Sequence, residues 1–361
     1  MNTLNEASIV VGVDVHKYSH TAVAMDSWGT ERDKLEFSND TLALYTNWLN
    51  ALGNKENVVI GLEDVNCYGI YLVEKLRKEG FHIRYVPAIL TERERKSSTK
   101  QSKSDYVDAK RVGKVILTKY EETLPAKESI ANEEELKTAQ ALDLLLMERR
   151  DLVKEKTLLK NQLHVLLHQY YGDHYRDAFK KPFNGKAVAF YRTDLDQNAA
   201  EGKIVLGTSI TRRLGRLVLV EDQITSISKE VETIGKKSEE VMALHMNIHG
   251  CGIVTACSIM AELVTVRRFK GKDNLASYAG VSPREHSSGR KRKLHTNPFG
   301  NRRFNRALHT IALSQIACKG DPEGKEYYRK KQKEGKTKLW ALRCLKRQIS
   351  KRVFQTLTRV R

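Results

Sequence analysis

The chain has 361 residues, 40% hydrophobic and 30% charged, with 22 Gly and 6 Pro; that composition describes two or three folded domains and excludes collagen-like, coil-only and disordered classes. Lys and Arg number 63 against 44 Asp and Glu, a net charge of +19, which calls for a polyanionic partner, nucleic acid first and an anionic membrane surface second. No apolar run approaches the roughly 20 residues of a bilayer span, and the opening segment lacks the basic-then-apolar order of a secretory signal, so a cytoplasmic chain with no membrane association is expected.

Residues 9 to 16, IVVGVDVH, predict a buried strand; His20 to Met25 and LEFS follow as second and third strands of a meander. A helix over Leu42 to Leu52, a strand over Val58 to Asp64, a helix through Ile70, Leu72 and Leu76, and a strand over His82 to Ala88 complete the element order of an RNase H-like α/β domain. Another helix is predicted from Asp105 to Tyr120. Between Glu133 and His168 the chain has no Gly or Pro and is dense in Leu and charge, which predicts one long helix. Leu217, Val220, Ile224, Ile227, Val231 and Ile234 step by three and four, the spacing of a coiled-coil seam. Two such helices suggest a coiled-coil arm for self-association, or an antiparallel hairpin within the chain, with residues 171 to 200 as the reversing tip. The segment IHGCGIVTACSIMAEL has Gly250 and Gly252 ahead of a small-residue helix, as in a helix-hairpin-helix whose amides hold a phosphate. Three domains are thus expected: 1–128, α/β; 129–245, coiled-coil arm; 246–361, mainly α.

The charge is lopsided. From Val264 to Arg361 there are 27 basic and six acidic residues, against 36 and 38 before it. Arg290, Lys291, Arg292 and Lys293, with Arg302, Arg303 and Arg306, are dense enough to hold phosphates, and counterion release would make that binding salt-dependent. The five cysteines, Cys67, Cys251, Cys257, Cys318 and Cys344, are odd in number and form no C-x-x-C pair, so they read as reduced structural thiols.

Four carboxylates stand where a core would be. Val10, Gly12, Asp14 and His16 share one face of the first strand, and Val59, Gly61 and Glu63 one face of the fourth. In KSDYVDAKRVGKVI, Asp105, Asp108, Val112 and Val115 advance by three, four and three, which puts both acids on an otherwise core-facing stripe. An unpaired buried carboxylate is costly, and a divalent cation held by hard oxygen ligands would relieve it. Each acid also has an ordinary alternative: Asp105 as a helix cap, Asp108 paired with Lys110 or Arg111, Asp14 with Lys17.

Together GVDVHK, LEDVNCYG and KSDYVDAKR resemble the DEDD motif of the insertion-sequence transposases related to the Piv invertases, which are bridge-RNA-guided serine recombinases. FKGKDNLASYAGVSPREHSSGRKRK followed by GNRRFNRAL is similar to that family's C-terminal transposase domain. The resemblance implies a RuvC-like catalytic domain and a metal centre at Asp14, Glu63, Asp105 and Asp108, taking Mg²⁺ with Mn²⁺ as substitute. It also implies Ser288 as nucleophile, donor and target DNA and a structured guide RNA as partners, and a dimer or tetramer. From spacing alone Ser287 competes with Ser288, and Tyr278 is a third hydroxyl. A junction-resolving nuclease using water, and a nucleic-acid-binding protein whose acids are structural, are the competing readings.

Overall fold

In the computed structural model, residues 4–63, 68–97, 104–177, 179, 181–197, 202–288, 291–295, 297, 300–317 and 319–360 are described. They form two compact units, one of residues 1–137 with 263–359, the other of residues 138–262.

The first unit opens on a meander, β1 (Ile9–Val15), β2 (His20–Met25) and β3 (Glu31–Phe37), followed by α1 (Leu42–Leu52). Then come β4 (Val58–Leu62), α2 (Ile70–Lys78), β5 (His82–Tyr85), α3 (Ala88–Ser97), α4 (Asp105–Lys119), β6 (Leu124–Pro125) and α5 (Lys127–Ile130). The sheet order is β3-β2-β1-β4-β5-β6, antiparallel from β3 to β1, parallel from β1 to β5, antiparallel at β6. The alternation of β1 decides its packing: Val11 and Val13 join a core with α1 and α2, whereas Val10 joins Val112, Val115 and Ile116 of α4 on the opposite face. A mixed sheet with helices on both faces is consistent with the RNase H-like expectation.

One close approach sets the position of α4. A Cβ on Gly12 would lie 2.0 Å from the carbonyl oxygen of Ala109, and one on Gly113 would lie 2.1 Å from the Met25 methyl. With hydrogen at both positions, α4 rests directly on β1, and its N-terminal turn reaches the C-terminal end of that strand.

α6 (Glu133–Tyr171) leads into the second unit, with α7 (His174–Asp177), α8 (Gly185–Gln197), α9 (Ile204–Gly235), α10 (Glu239–Asn247) and α11 (Ile253–Leu263). The expected seam is present: Leu217, Val220, Ile227 and Val231 are buried, and Leu217 and Val220 share a core with Leu159, Leu163 and Leu167 of α6. Arg149 bonds Ser228, Lys156 and Lys160 bond Glu221, and Arg213 donates to Gln162, so the partner numbers rise on one helix as they fall on the other. The two helices are therefore an antiparallel pair within the chain. Residues 171–200, expected to be a reversing tip, also contain α8, whose Ala187, Val188 and Tyr191 fill that same core.

The chain then returns to the first unit through α12 (Lys272–Tyr278), β7 (Arg284–Ser288), β8 (Lys291–His295), α13 (Arg302–Ile316), α14 (Pro322–Lys333) and α15 (Lys338–Arg359). This region is mainly helical, as expected. It is tied to the N-terminal domain by the Arg268 guanidinium donating to the Pro125 carbonyl at 3.1 Å and by the pairs Arg267–Glu135 (2.6 Å) and Lys270–Glu121. Among the described residues no helix is long and apolar enough to cross a membrane.

Candidate active site and its acidic cluster

β1 and β4 run parallel with Val13 opposite Leu62, so the next residues along, Asp14 and Glu63, leave adjacent strands side by side. Asp105 and Asp108 occupy the first turn of α4, whose N-cap is Ser104, its hydroxyl accepting from the Val107 amide. That excludes the capping role for Asp105; both acids instead sit at the positive end of the helix dipole.

The tightest grouping is Asp14, His16 and Asp105, one ligand atom of each lying within 4.8 Å of the others. His16 Nε2 is 3.1 Å from Asp14 Oδ2 and 3.4 Å from Asp105 Oδ1. Asp14, expected to pair with Lys17 if it served only structure, thus meets an imidazole. Asp108 does take one of its ordinary alternatives: Arg111 Nη1 lies 2.5 Å from Asp108 Oδ1, and the Arg111 side chain is only 6% exposed.

Burial pushes the Asp14 carboxyl above its usual range; His16 pulls it back, while Asp108 and Asp105 add repulsion. Burial likewise raises Glu63, a hydrogen bond with Thr91 of α3 opposing it and the charges of Asp14 and Asp108 adding to it. The four acids are close enough to feel one another's charge, although only Asp14 and Asp105 share the His16 group. The buried stripe also ends sooner than the spacing implied: Val112 and Val115 are buried, but the Asp105 side chain is 59% exposed because the helix start projects past the strand end.

His16 is the residue the sequence reading passed over. Its signal was the strand alternation itself, which put it on the same face as Asp14. Two carboxylates and an imidazole suit a divalent cation; the oxygens favour Mg²⁺ or Mn²⁺, and the nitrogen makes the set softer than carboxylates alone.

Elsewhere, Gly250 forms the turn between α10 and α11 with φ +80°, and open space surrounds the Cβ position of Gly252. His245 Nδ1 is 2.8 Å from the Cys251 carbonyl oxygen and braces that turn. Ser288 closes β7 opposite Lys291 of β8. The serines, read as part of a loop, thus belong to a hairpin whose strands are joined by two residues. Gly289 and Arg290 lie outside the described residues, as do the side chains of Ser287, Ser288, Lys291, Arg292 and Lys293. Arg302, Arg303 and Arg306 are exposed on α13.

A mixed α/β sheet with acids at the ends of two parallel strands and at the start of the helix laid across them gathers carboxylates where a divalent cation could be held. Residues 11–172 match the transposase family of the DEDD IS110 type, and residues 242–329 match the family described as Transposase IS116/IS110/IS902. Both matched stretches are thus similar to transposases of the IS110 type.

Among curated relatives, the transposase for insertion sequence element IS1111A of Coxiella burnetii is 29% identical over 43% of this chain and 41% of its own length. A Streptomyces coelicolor protein, the insertion element IS110 uncharacterized 43.6 kDa protein, is 29% identical over 39% of this chain and 34% of its own length. The chain thus spans less than half the length of these two relatives. The insertion element IS116 uncharacterized 44.8 kDa protein of Streptomyces clavuligerus is 23% identical, covering 94% of this chain and 92% of its own length.

Proposed function

We propose that the protein is a DNA transposase that cuts and rejoins strands of a mobile element by metal-assisted phosphoryl transfer. The observation that carries this reading is the gathering of Asp14, Asp105 and His16 within ligand reach, with Glu63 and Asp108 flanking them. Asp14, Glu63, Asp105 and Asp108 would hold Mg²⁺ or Mn²⁺, and a bound divalent ion supplies charge stabilisation to the attacking and leaving oxygens.

The chain's own residues do the rest. Gly12 and Gly113 fix α4 so that Asp105 stays against Asp14, and His16 orients both carboxylates through its Nε2. Ser288 is assigned as the nucleophile, on its place in the family motif. In the sequence it stands before Gly289 and the basic run Arg290 to Lys293, whose charges would offset charge developing on a phosphodiester under attack by its hydroxyl. The serine oxygen forms a bond to phosphorus as the leaving 3′ or 5′ oxygen takes up a proton. The phosphoserine bond then exchanges with an incoming strand hydroxyl, so no nucleotide hydrolysis is needed. Sequence choice is assigned to a structured guide RNA, the protein contacting backbone and shape. A dimer or tetramer of three-domain subunits (1–128, 129–245, 246–361) completes the proposal.

Nuclease-type hydrolysis is the second reading, favoured by one observation: an imidazole beside Asp14 can take a proton from water. Denaturing gels on a nicked or suicide DNA substrate separate the two. A covalent adduct in the natural protein that vanishes in Ser288→Ala supports the transposase; free ends with no adduct, and unchanged cleavage by Ser288→Ala, would overturn the nucleophile and leave the hydrolase.

A further inference from the structure

Between α13 and α15 the first unit has a recess of about 510 Å³ whose charged lining residues, Arg302, Arg306, Arg343 and Lys346, are all cationic. Arg302, Asn305, Arg306 and His309 recur at three- and four-residue steps on one face of α13, and Arg343 and Lys346 face them from α15. Among the described residues no carboxylate lines it. Among the described residues, neither Arg302, Arg306, Arg343 nor Lys346 has an acid within salt-bridge reach. Lys346 is 7% exposed, and its ammonium donates to Asn305 Oδ1, an uncharged partner.

This arrangement costs free energy as it stands. A buried ammonium without a counter-charge is expensive. Arg302 is the first residue of α13 and Arg306 lies in its second turn, at the end where the helix dipole is already positive, and no acid occupies that first turn. Burial lowers the Lys346 ammonium to about 8, with Arg343 adding to the effect, and His309 is lowered by burial and by Lys346. The walls are also fixed. Gly280 and Gly300 cross so closely that a Cβ on Gly300 would lie 2.2 Å from the Gly280 Cα, and Asn305 donates to the Ala279 carbonyl at 2.6 Å.

We propose that this recess seats one internucleotide phosphate of a bound nucleic-acid strand, with Lys346 as its floor and Arg302, Arg306 and Arg343 as its walls. Its size fits a nucleotide unit rather than a bare ion. Its described lining residues are Gly, Asn, His, Arg and Lys, which suit contact with sugar and phosphate rather than with the base. The inference rests on the reading that the partner is nucleic acid, and it adds Lys346, Arg343, His309 and Asn305 to the contact surface.

The test uses the full-length protein and two binding readouts. Melting temperature is compared in chloride and in inorganic phosphate at equal ionic strength, and binding to a labelled mixed-sequence duplex is followed across a salt series. The natural protein should melt higher in phosphate. Lys346→Met should lose most of that rise, bind DNA about tenfold more weakly and show a log-log salt slope shallower by about one. Arg343→Gln, at a half-exposed position, should do the same and stands in if Lys346→Met does not fold. Lys338→Met, exposed on the same helix, should change neither readout. Natural phosphate protection and salt slope in both recess variants would overturn the proposal. Neither readout involves strand transfer, so a Ser288→Ala protein that kept full strand transfer would sink the nucleophile assignment and leave the seat standing.

Discussion

The acidic cluster at the end of β1 and the basic recess between α13 and α15 have opposite charge and similar construction. Each uses residues three or four apart on a helix, Asp105 and Asp108 in one, Arg302, Asn305, Arg306 and His309 in the other. Each is set by two glycines that allow backbones to meet, Gly12 with Gly113 and Gly280 with Gly300. They differ in compensation. The acids have His16 and Arg111 as internal partners, whereas the four recess cations have no carboxylate partner among the described residues. The acidic site can therefore stand alone until a cation enters, whereas the basic one carries a standing cost that only an anion removes.

The sharpest way to break the acidic half of that comparison is to remove a ligand. Asp14→Asn or Asp105→Asn should keep the fold and lower metal-dependent strand cleavage at least about 100-fold, several kcal/mol of barrier. Cleavage within a few-fold of the natural rate would show that the cluster is structural. Next in size is Gly12→Ala, whose methyl would press on the Ala109 carbonyl; about 1–3 kcal/mol of stability should be lost along with cleavage, read by chemical denaturation.

Compensation itself can be probed at Arg111. Arg111→Met leaves the partly exposed Asp108 without its partner and should cost about 1–2 kcal/mol in metal-free buffer. Added Mg²⁺ or Mn²⁺ should recover part of that loss, and an equal loss with and without metal would separate Asp108 from the cation.

The smallest effect expected is at Lys346. Its folded pKa, about 8, lies below the unfolded value of 10.5, so between the two the unfolded chain binds more protons and stability rises with pH. Below about 8 the penalty is constant. Burial sets that shift and Arg343 on its own helix adds to it; Arg302, Arg306 and His309 face the ammonium from α13. Lys346→Met should gain about 1 kcal/mol or less near neutral pH, relief of the charge being offset by the lost bond to Asn305, and its stability curve should lack the alkaline rise. A curve parallel to the natural one would assign the rise to other groups.

Much of the acidic site was legible in the sequence because strands and helices impose fixed periods. The two-residue repeat put Asp14 beside His16, and the three-four repeat put Asp105 beside Asp108. The Gly12–Gly113 approach was not legible, since it depends on which helix crosses which strand; Arg111 was legible as one of two candidates, three residues from Asp108 where Lys110 is two, and three is the step at which helix side chains meet. β6 was missed because two residues carry no pattern, and α3 because its ERERK sequence has little apolar periodicity. The recess escaped for a different reason: Arg302 and Arg306 were noted as phosphate contacts, but their partners Arg343 and Lys346 lie about 40 residues on, and only the packing of α13 on α15 unites them.

The crossing of Gly280 and Gly300 closes the intervening chain into a loop whose two ends touch, with the Asn301 amide donating to the Tyr278 carbonyl at 2.7 Å as the clasp. The β7–β8 hairpin lies between those two ends, while Val281 is buried beside the clasp and Asn297 lines the recess, so the feet of the loop belong to the body. A change in hairpin length is therefore taken up inside the loop and leaves the entry into α13 where it was, so the hairpin can be retuned without resetting the helix that follows.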